Sequence, residues 1–167
     1  MPADRREEGL TLDFKLSENA VLTQYHREPF SRRGLLKLRS MKQRTAEYLS
    51  EFHIKAPGTE VMARNLSGGN QQKLVLAREI HKQPDLLLIV QPTWGLDIGA
   101  CAFVYQKLLE ERARGAAILL ISTDLEEVRS LSDRLLVLYE GELMGEVDPS
   151  TAKVEDIGMM MGGSKIF

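Results

Sequence analysis

Three apolar runs, Leu86–Val90, 116–122 and Leu135–Tyr139, alternate with two segments of helical character, Ile98–Arg114 and 124–131. Short apolar strands separated by helices predict βαβ units, with a parallel sheet covered on both faces. Gly115 is placed to stop the first of these helices, and Gly141 to turn the last run into "ELMGEV". The first half reads differently. From 35 to 52, Leu38, Met41, Tyr48, Leu49 and Phe52 keep helical spacing, and Pro57-Gly58 breaks it. "LSENAVL" puts Ser17 where a helix would start, and a further helix is expected from near Asn70 to before Pro84. Residues 1–16 mix charges with "GLTLDF", a possible short strand at an exposed or torn edge. The expectation is an α/β chain in three parts: 1–16, a helical 17–83, and an α/β 84–167.

Composition excludes several classes. At 167 residues the chain can bury a core, and with 43% hydrophobic and 28% charged residues it has globular composition. A net charge of −2 gives no reason to expect nucleic acid as a partner. No apolar run approaches the roughly 20 residues that span a bilayer. The charged N-terminus is unlike a signal peptide, so a cytoplasmic location is expected. The single cysteine, Cys101, forms a helical stripe with Ile98, Tyr105 and Leu108 and reads as core. His26, His53 and His81 lack metal-ligand spacing. Glu7-Glu8, Glu110-Glu111 and Glu126-Glu127 read as solvated faces, and Met159 to Met161 as part of an amphipathic helix.

The most specific stretch is "NLSGGNQQKLVLAREI". Its simplest reading is a helix with Ser67 as N-cap. Gly68 and Gly69 also let backbone come close to a ligand, and the free N–H groups and dipole of the helix start attract phosphate. Asn70, Gln71, Gln72 and Lys73 would line its first turn.

In context, "LSGGNQQK" resembles the signature motif of ATP-binding cassette ATPases, in the form typical of sugar and nucleoside importers. "LLLIV" stands where that family has its Walker B strand, "PTWGLD" matches the D-loop and "ISTDLEEV" the switch region. "SDRLLVLYEGELMGE" matches the closing strands, and residues 2–22, "PADRREEGLTLDFKLSENAVL", resemble the segment after the Q-loop. The resemblance implies part of a P-loop NTPase core, with a parallel sheet and an α-helical signature subdomain. It also implies that two cassettes pair head to tail. Ser67, Gly68 and Gly69 would then contact the γ-phosphate of ATP held with Mg²⁺ by a partner cassette, with Asn70, Gln71 and Gln72 close by. Asp97 would communicate across that interface. The implied assembly includes transmembrane permease subunits, with this chain peripheral on the inner face of the plasma membrane.

The departures fall on one side of the site. No G-x-x-x-x-G-K-[ST] string occurs. The resemblance therefore aligns the chain with the C-terminal part of a cassette, and no nucleotide is expected to bind to this chain alone. Ala3 or Asp4 falls where the Q-loop residue would be. The family's Walker B strand ends in Asp-Glu; here Val90 offers no lone pair, and Gln91 cannot take a proton from water. Loss of a general base costs about 10²–10⁴-fold in rate. Thr123 holds the place of the switch histidine, although with Glu126 it also reads as a T-x-x-E capping box. Trp94 stands where the family often has arginine; it either covers the strand end or packs on a partner. "QPT" in place of "DEPT" resembles the second cassette of nucleoside-type importers.

Two other classes compete. One is a non-catalytic interaction module or a truncated remnant without ATPase activity, which an upstream in-frame P-loop would argue against. The other is a DNA-repair or chromosome-structure ATPase, for which no heptad stretch is present. A sheet lacking its P-loop strand would also be marginally stable or self-associating.

Overall fold

The helix carrying the Ser-Gly-Gly motif is the buried axis of the first half of the molecule. The computed structural model describes residues 1–2 and 4–165; Ala3, weighed above as a Q-loop position, lies outside them. The described chain forms two compact units, Met1–Leu119 and Leu120–Phe167, which part within a strand.

The first unit opens with a π-helical turn at Arg5–Gly9 and a short helix α1 (Leu16–Asn19), then a hairpin of β1 (Ser31–Arg32) and β2 (Leu35–Leu36). Helices α2 (Leu38–Glu51) and α3 (Gly68–Ile80) follow, then strand β3 (Leu86–Val90), helix α4 (Ile98–Arg114) and strand β4 (Ala117–Ile121). Leu74, Val75, Leu76 and Ala77 of α3 are all fully buried. The helix packs against α2, α4 and the Arg5–Gly9 turn. At Gly9 a Cβ would lie 3.3 Å from Val75 Cγ2, so the turn lies almost directly on the helix. On its α2 side, Tyr48, Phe52 and His81 cluster, and Phe103 meets Phe52 edge-on at 6.0 Å.

β3 and β4 are neighbours in one sheet, and the α4 crossover between them makes the pair parallel, as the alternation predicts. Gly115 ends α4 in the left-handed region at φ 102°.

Several expectations are corrected in this unit. β3 is covered on one face: Leu87 and Ile89 are buried, whereas Leu86 is 62% exposed because no element of the unit lies over its side. The buried stripe of α4 is Ala100, Val104, Leu108 and Glu111, and Ile98 is 89% exposed. The helix spans the residues expected, but its buried face lies about one residue, or roughly 100°, round from the expected stripe. Glu111 is thus buried rather than solvated, paired with Arg114 at 2.7 Å. Leu38 is exposed at the start of α2. Ser17 sits inside α1, whose N-cap is Lys15. "GLTLDF" is no strand, since Gly9 and Leu10 are buried and the chain turns through 12–13.

What holds 11–15 in place is Asn19, fully buried. Its Oδ1 accepts from Thr11 N–H at 2.8 Å, and its Nδ2 donates to the carbonyls of Thr11, Phe14 and Lys15.

Nearby, Glu60 accepts from Lys15 (3.0 Å), Lys42 (3.2 Å) and Ser17 (3.0 Å). Lys15, then Lys42 and Ser17, hold its carboxyl down at about 2, from an ordinary 4.5. A depressed carboxylate stabilises the fold above its unfolded value, and that contribution disappears as pH falls through the folded one. Melting temperature is therefore expected to fall between about pH 4.5 and pH 2 less steeply in Glu60→Gln than in the parent. The difference should be small and shrink with added salt, because the cluster is half exposed.

The second unit contains α5 (Leu125–Leu131), an antiparallel hairpin of β5 (Leu135–Tyr139) and β6 (Glu142–Val147), and α6 (Val154–Met161). Glu140 and Gly141, both at positive φ, form its two-residue turn. Leu135, Val137, Met144, Ile157 and Met160 form its core. Met160 is buried while Met159 and Met161 are exposed, so α6 is amphipathic as expected. Two corrections belong here. Asp124 caps α5, accepting from Glu126 and Glu127 N–H at 2.9 and 3.1 Å, so the capping residue is not Thr123. Glu127, expected on a solvated face, is fully buried.

Candidate phosphate-facing site

Two helix starts converge in the first unit. Ser67 caps α3 and Asp97 caps α4, with Asp97 Oδ1 accepting from Ala100 N–H at 2.9 Å. A Cβ on Gly69 would lie 3.4 Å from the Ala100 Cβ and 3.8 Å from Asp97 Oδ2, so glycine lets the helices meet at their positive ends.

Ser67 is exposed, and its Oγ accepts from Asn70 Nδ2 (3.0 Å) and Asn70 N–H (3.4 Å). With both acceptor positions used, the hydroxyl proton is left to donate. Asn70 is fixed in turn by Lys55 N–H, which donates to its Oδ1 at 3.0 Å. As the first residues of α3, Gly68 and Gly69 have N–H groups with no intrahelical acceptor. Free N–H groups, a hydroxyl and a helix dipole together favour an anion such as phosphate.

Gln71 and Gln72 do not line that surface. Gln71 is 1% exposed; its Nε2 donates to the Ala63 carbonyl at 3.0 Å and its Oε1 accepts from Arg6 Nε at 3.3 Å. Gln72 Nε2 donates to the Pro92 carbonyl at 2.6 Å. The two amides lock α3 to the segment before it and to the loop after β3. Lys73 instead lies over the Phe103 ring, 4.4 Å from its centroid.

Sequence reasoning missed Arg5. Its Nη1 donates to the Trp94 carbonyl at 2.8 Å, and a Cβ on Gly68 would lie 2.7 Å from its Nη2. The guanidinium thus fills the side of Gly68 and ties it to the loop after β3. Burial, aided by the neighbouring Arg6 charge, pulls its pKa below the usual arginine value. Its buried Nε has no hydrogen-bond partner among the described residues. Charged residues near an N-terminus give no sign of such a reach across 89 positions. Asp4 caps this turn, accepting from Arg6 and Glu7 N–H, which hold its carboxyl below the usual range.

The strand end is chemically quiet. Val90 N–H donates to the Met1 carbonyl at 3.2 Å, and the Met1 amine donates to the Leu88 carbonyl. Gln91 takes a left-handed φ of 48°, and its carbonyl accepts from Trp94 N–H at 3.3 Å. Trp94 is 67% exposed, so its ring does not cover the strand end. Among the described residues no three His, Cys, Asp or Glu side chains are grouped to hold a metal ion. Valine and a glutamine amide at this strand end do not fit Mg²⁺ coordination by carboxylate. Thr123 lies exposed in the second unit. Among the described residues no helix is long and apolar enough to cross a membrane.

Comparison with known proteins shows what the chain is similar to. Residues 5–93 match the family model described as ABC transporter. The chain is 43% identical over 164 residues to the guanosine import ATP-binding protein NupO of Bacillus subtilis, covering 98% of this chain and 32% of that one. It is 40% identical to the nucleoside import ATP-binding protein NupA of Lactococcus lactis (99% and 33%) and 40% identical to the ribose import ATP-binding protein RbsA of Oceanobacillus iheyensis (92% and 31%). The chain therefore spans about a third of the length of these relatives. Among solved structures it resembles the dimeric ATP-binding cassette MJ0796 bound to ADP and Pi, with a TM-score of 0.68 and 26% identity, over 84% of this chain and 59% of that one.

Proposed function

This chain belongs to the ABC transporter family, and from that premise we propose that it donates its signature motif to ATP held by a partner cassette in an importer of sugars or nucleosides. The observation that carries the reading is the state of Ser67: exposed, with both acceptor positions occupied by Asn70 and its proton free to donate. Ser67 and the N–H groups of Gly68 and Gly69 bind the γ-phosphate, Asn70 orients the serine, and Asp97 lies at the interface. Gln71 and Gln72 act from behind as positioning residues.

When bound, the nucleotide with its Mg²⁺ supplies the phosphoanhydride to be cleaved. This chain supplies hydrogen-bond donors and the positive ends of two helices. Its own Val90–Gln91 strand end supplies neither a carboxylate for the metal nor a general base, so its half of the pair is the one that does not turn over. The partners implied are a second cassette and the permease subunits, which keep the assembly on the inner face of the plasma membrane. The names of the nucleoside and ribose import relatives support this solute class.

The test is equilibrium ATP binding by the chain alone and mixed with a cassette that has a complete P-loop. No saturable binding below about 1 mM is expected from the chain alone, since millimolar affinity amounts to only about 4 kcal/mol. ATP is expected to promote association with the complete cassette. Micromolar affinity of the isolated chain for ATP contradicts the reading.

A further inference from the structure

The chain's positive charge is concentrated in residues 25–44, which hold seven Lys or Arg and one Glu. The whole chain has 22 basic and 24 acidic residues, so the remainder carries a net charge of −8. At the centre of this segment is the β1–β2 hairpin, registered Ser31↔Leu36 and Arg32↔Leu35. Its two turn residues, Arg33 (φ 53°) and Gly34 (φ 79°), are both left-handed, the turn that matches strand twist. An arginine there carries some backbone strain, and it sets a guanidinium at the tip.

The base of the hairpin is anchored. Phe30 is buried, its carbonyl accepts from Lys37 N–H at 2.8 Å, and the Arg44 guanidinium lies 5.9 Å from its ring centroid. Beyond that base the surface is apolar and cationic together. Leu35 is 75% exposed, Leu36 and Leu38 are half exposed or more, and Arg32, Arg33 and Arg39 are exposed. Lys42 and Arg44 are paired with Glu60 and Glu47, but no acidic side chain pairs with Arg32, Arg33 or Arg39 among the described residues.

Exposed leucines beside unpaired guanidiniums ask for two things at once: an apolar layer, and anionic groups directly above it. Nucleic acid supplies only the anions. An anionic lipid surface supplies both, and the cross-strand pair Arg32 and Leu35 presents both on one face of the hairpin. We propose that this face of the 31–36 hairpin docks on an anionic lipid surface, with Arg32, Arg33 and Arg39 at the headgroups and Leu35 in the boundary between them. This is independent of the signature role, since it needs no nucleotide and no partner cassette.

The experiment is co-sedimentation of the full chain with vesicles of phosphatidylcholine containing about one-third phosphatidylglycerol. Binding is expected to these vesicles, to be absent from pure phosphatidylcholine, and to be lost near 0.5 M salt, where screening length falls to roughly 4 Å. Arg32→Gln with Arg33→Asn removes two charges and keeps a residue that tolerates the left-handed turn; affinity should drop about 30-fold. Leu35→Ser should weaken binding while preserving its salt dependence. Far-UV circular dichroism should be unchanged in both variants, since the altered side chains are exposed or make no packing contact. No binding to anionic vesicles, equal binding to neutral ones, or unchanged affinity in the arginine variant would overturn the proposal. The first outcome would point instead to an acidic protein surface.

Discussion

Replacing Ser67 by arginine is expected to lower ATP turnover of the assembled cassette pair by about 10²-fold or more while the chain stays folded. Asn70 occupies both acceptor positions of the serine hydroxyl, which leaves its proton to be donated to an arriving phosphate. Removing one such prearranged donor costs about 10²–10³-fold where charge develops in a transition state. Arginine adds bulk across the open N–H groups of Gly68 and Gly69 and blocks close approach. The fold is expected to tolerate it, because Ser67 is exposed and loss of an N-cap costs only about 1 kcal/mol. Steady-state phosphate release by the pair checks this result. The companion Ser67→Ala should fall between parent and arginine, since it removes the donor without blocking the N–H groups.

The largest stability effect is expected at Asn19, which sequence inspection passes over as one polar residue in a short helix. Asn19→Leu keeps similar volume but leaves Thr11 N–H without its acceptor and removes the second bond to the carbonyls of Thr11, Phe14 and Lys15, each of which keeps a backbone N–H. The unsatisfied donor costs about 1–3 kcal/mol and the lost second bonds to the carbonyls add to it, so a loss of about 2–4 kcal/mol is expected after local relaxation. Urea denaturation with an unchanged m-value measures it. The size of the loss separates hydrogen bonding from packing. A leucine that merely fills space would be close to neutral if the amide bonds carried nothing.

What was legible in the sequence was whatever depends on near neighbours. Ser67 reads as a cap because the cap bond spans three residues, and Gly115 reads as a stop because only glycine takes φ 102° cheaply. The apolar runs read as strands because five residues suffice to show one. What failed depends on which face is covered. Gln71 and Gln72 look like surface residues beside Asn70, yet both are buried because α3 is enclosed by α2, α4 and the Arg5–Gly9 turn. Thr123 reads as a cap for α5, but the carboxylate of Asp124, one residue nearer the helix, reaches two N–H groups. Arg5 was invisible because its partners at Gly68 and Trp94 are far along the chain. Likewise the acid-less end of β3 was legible as Val90 and Gln91, but the left-handed backbone at Gln91 was not.

The central claim is that Ser67 faces a nucleotide bound by another cassette. Its most direct test is Ser67→Cys, probed with an ATP analogue carrying a thiol-reactive group on the γ-phosphate. With a complete partner cassette present, rapid labelling of the cysteine is expected, competed by ATP; without the partner, labelling should fall to the rate of an ordinary exposed thiol. Equal labelling with and without the partner, or labelling that ATP does not compete, would contradict the account.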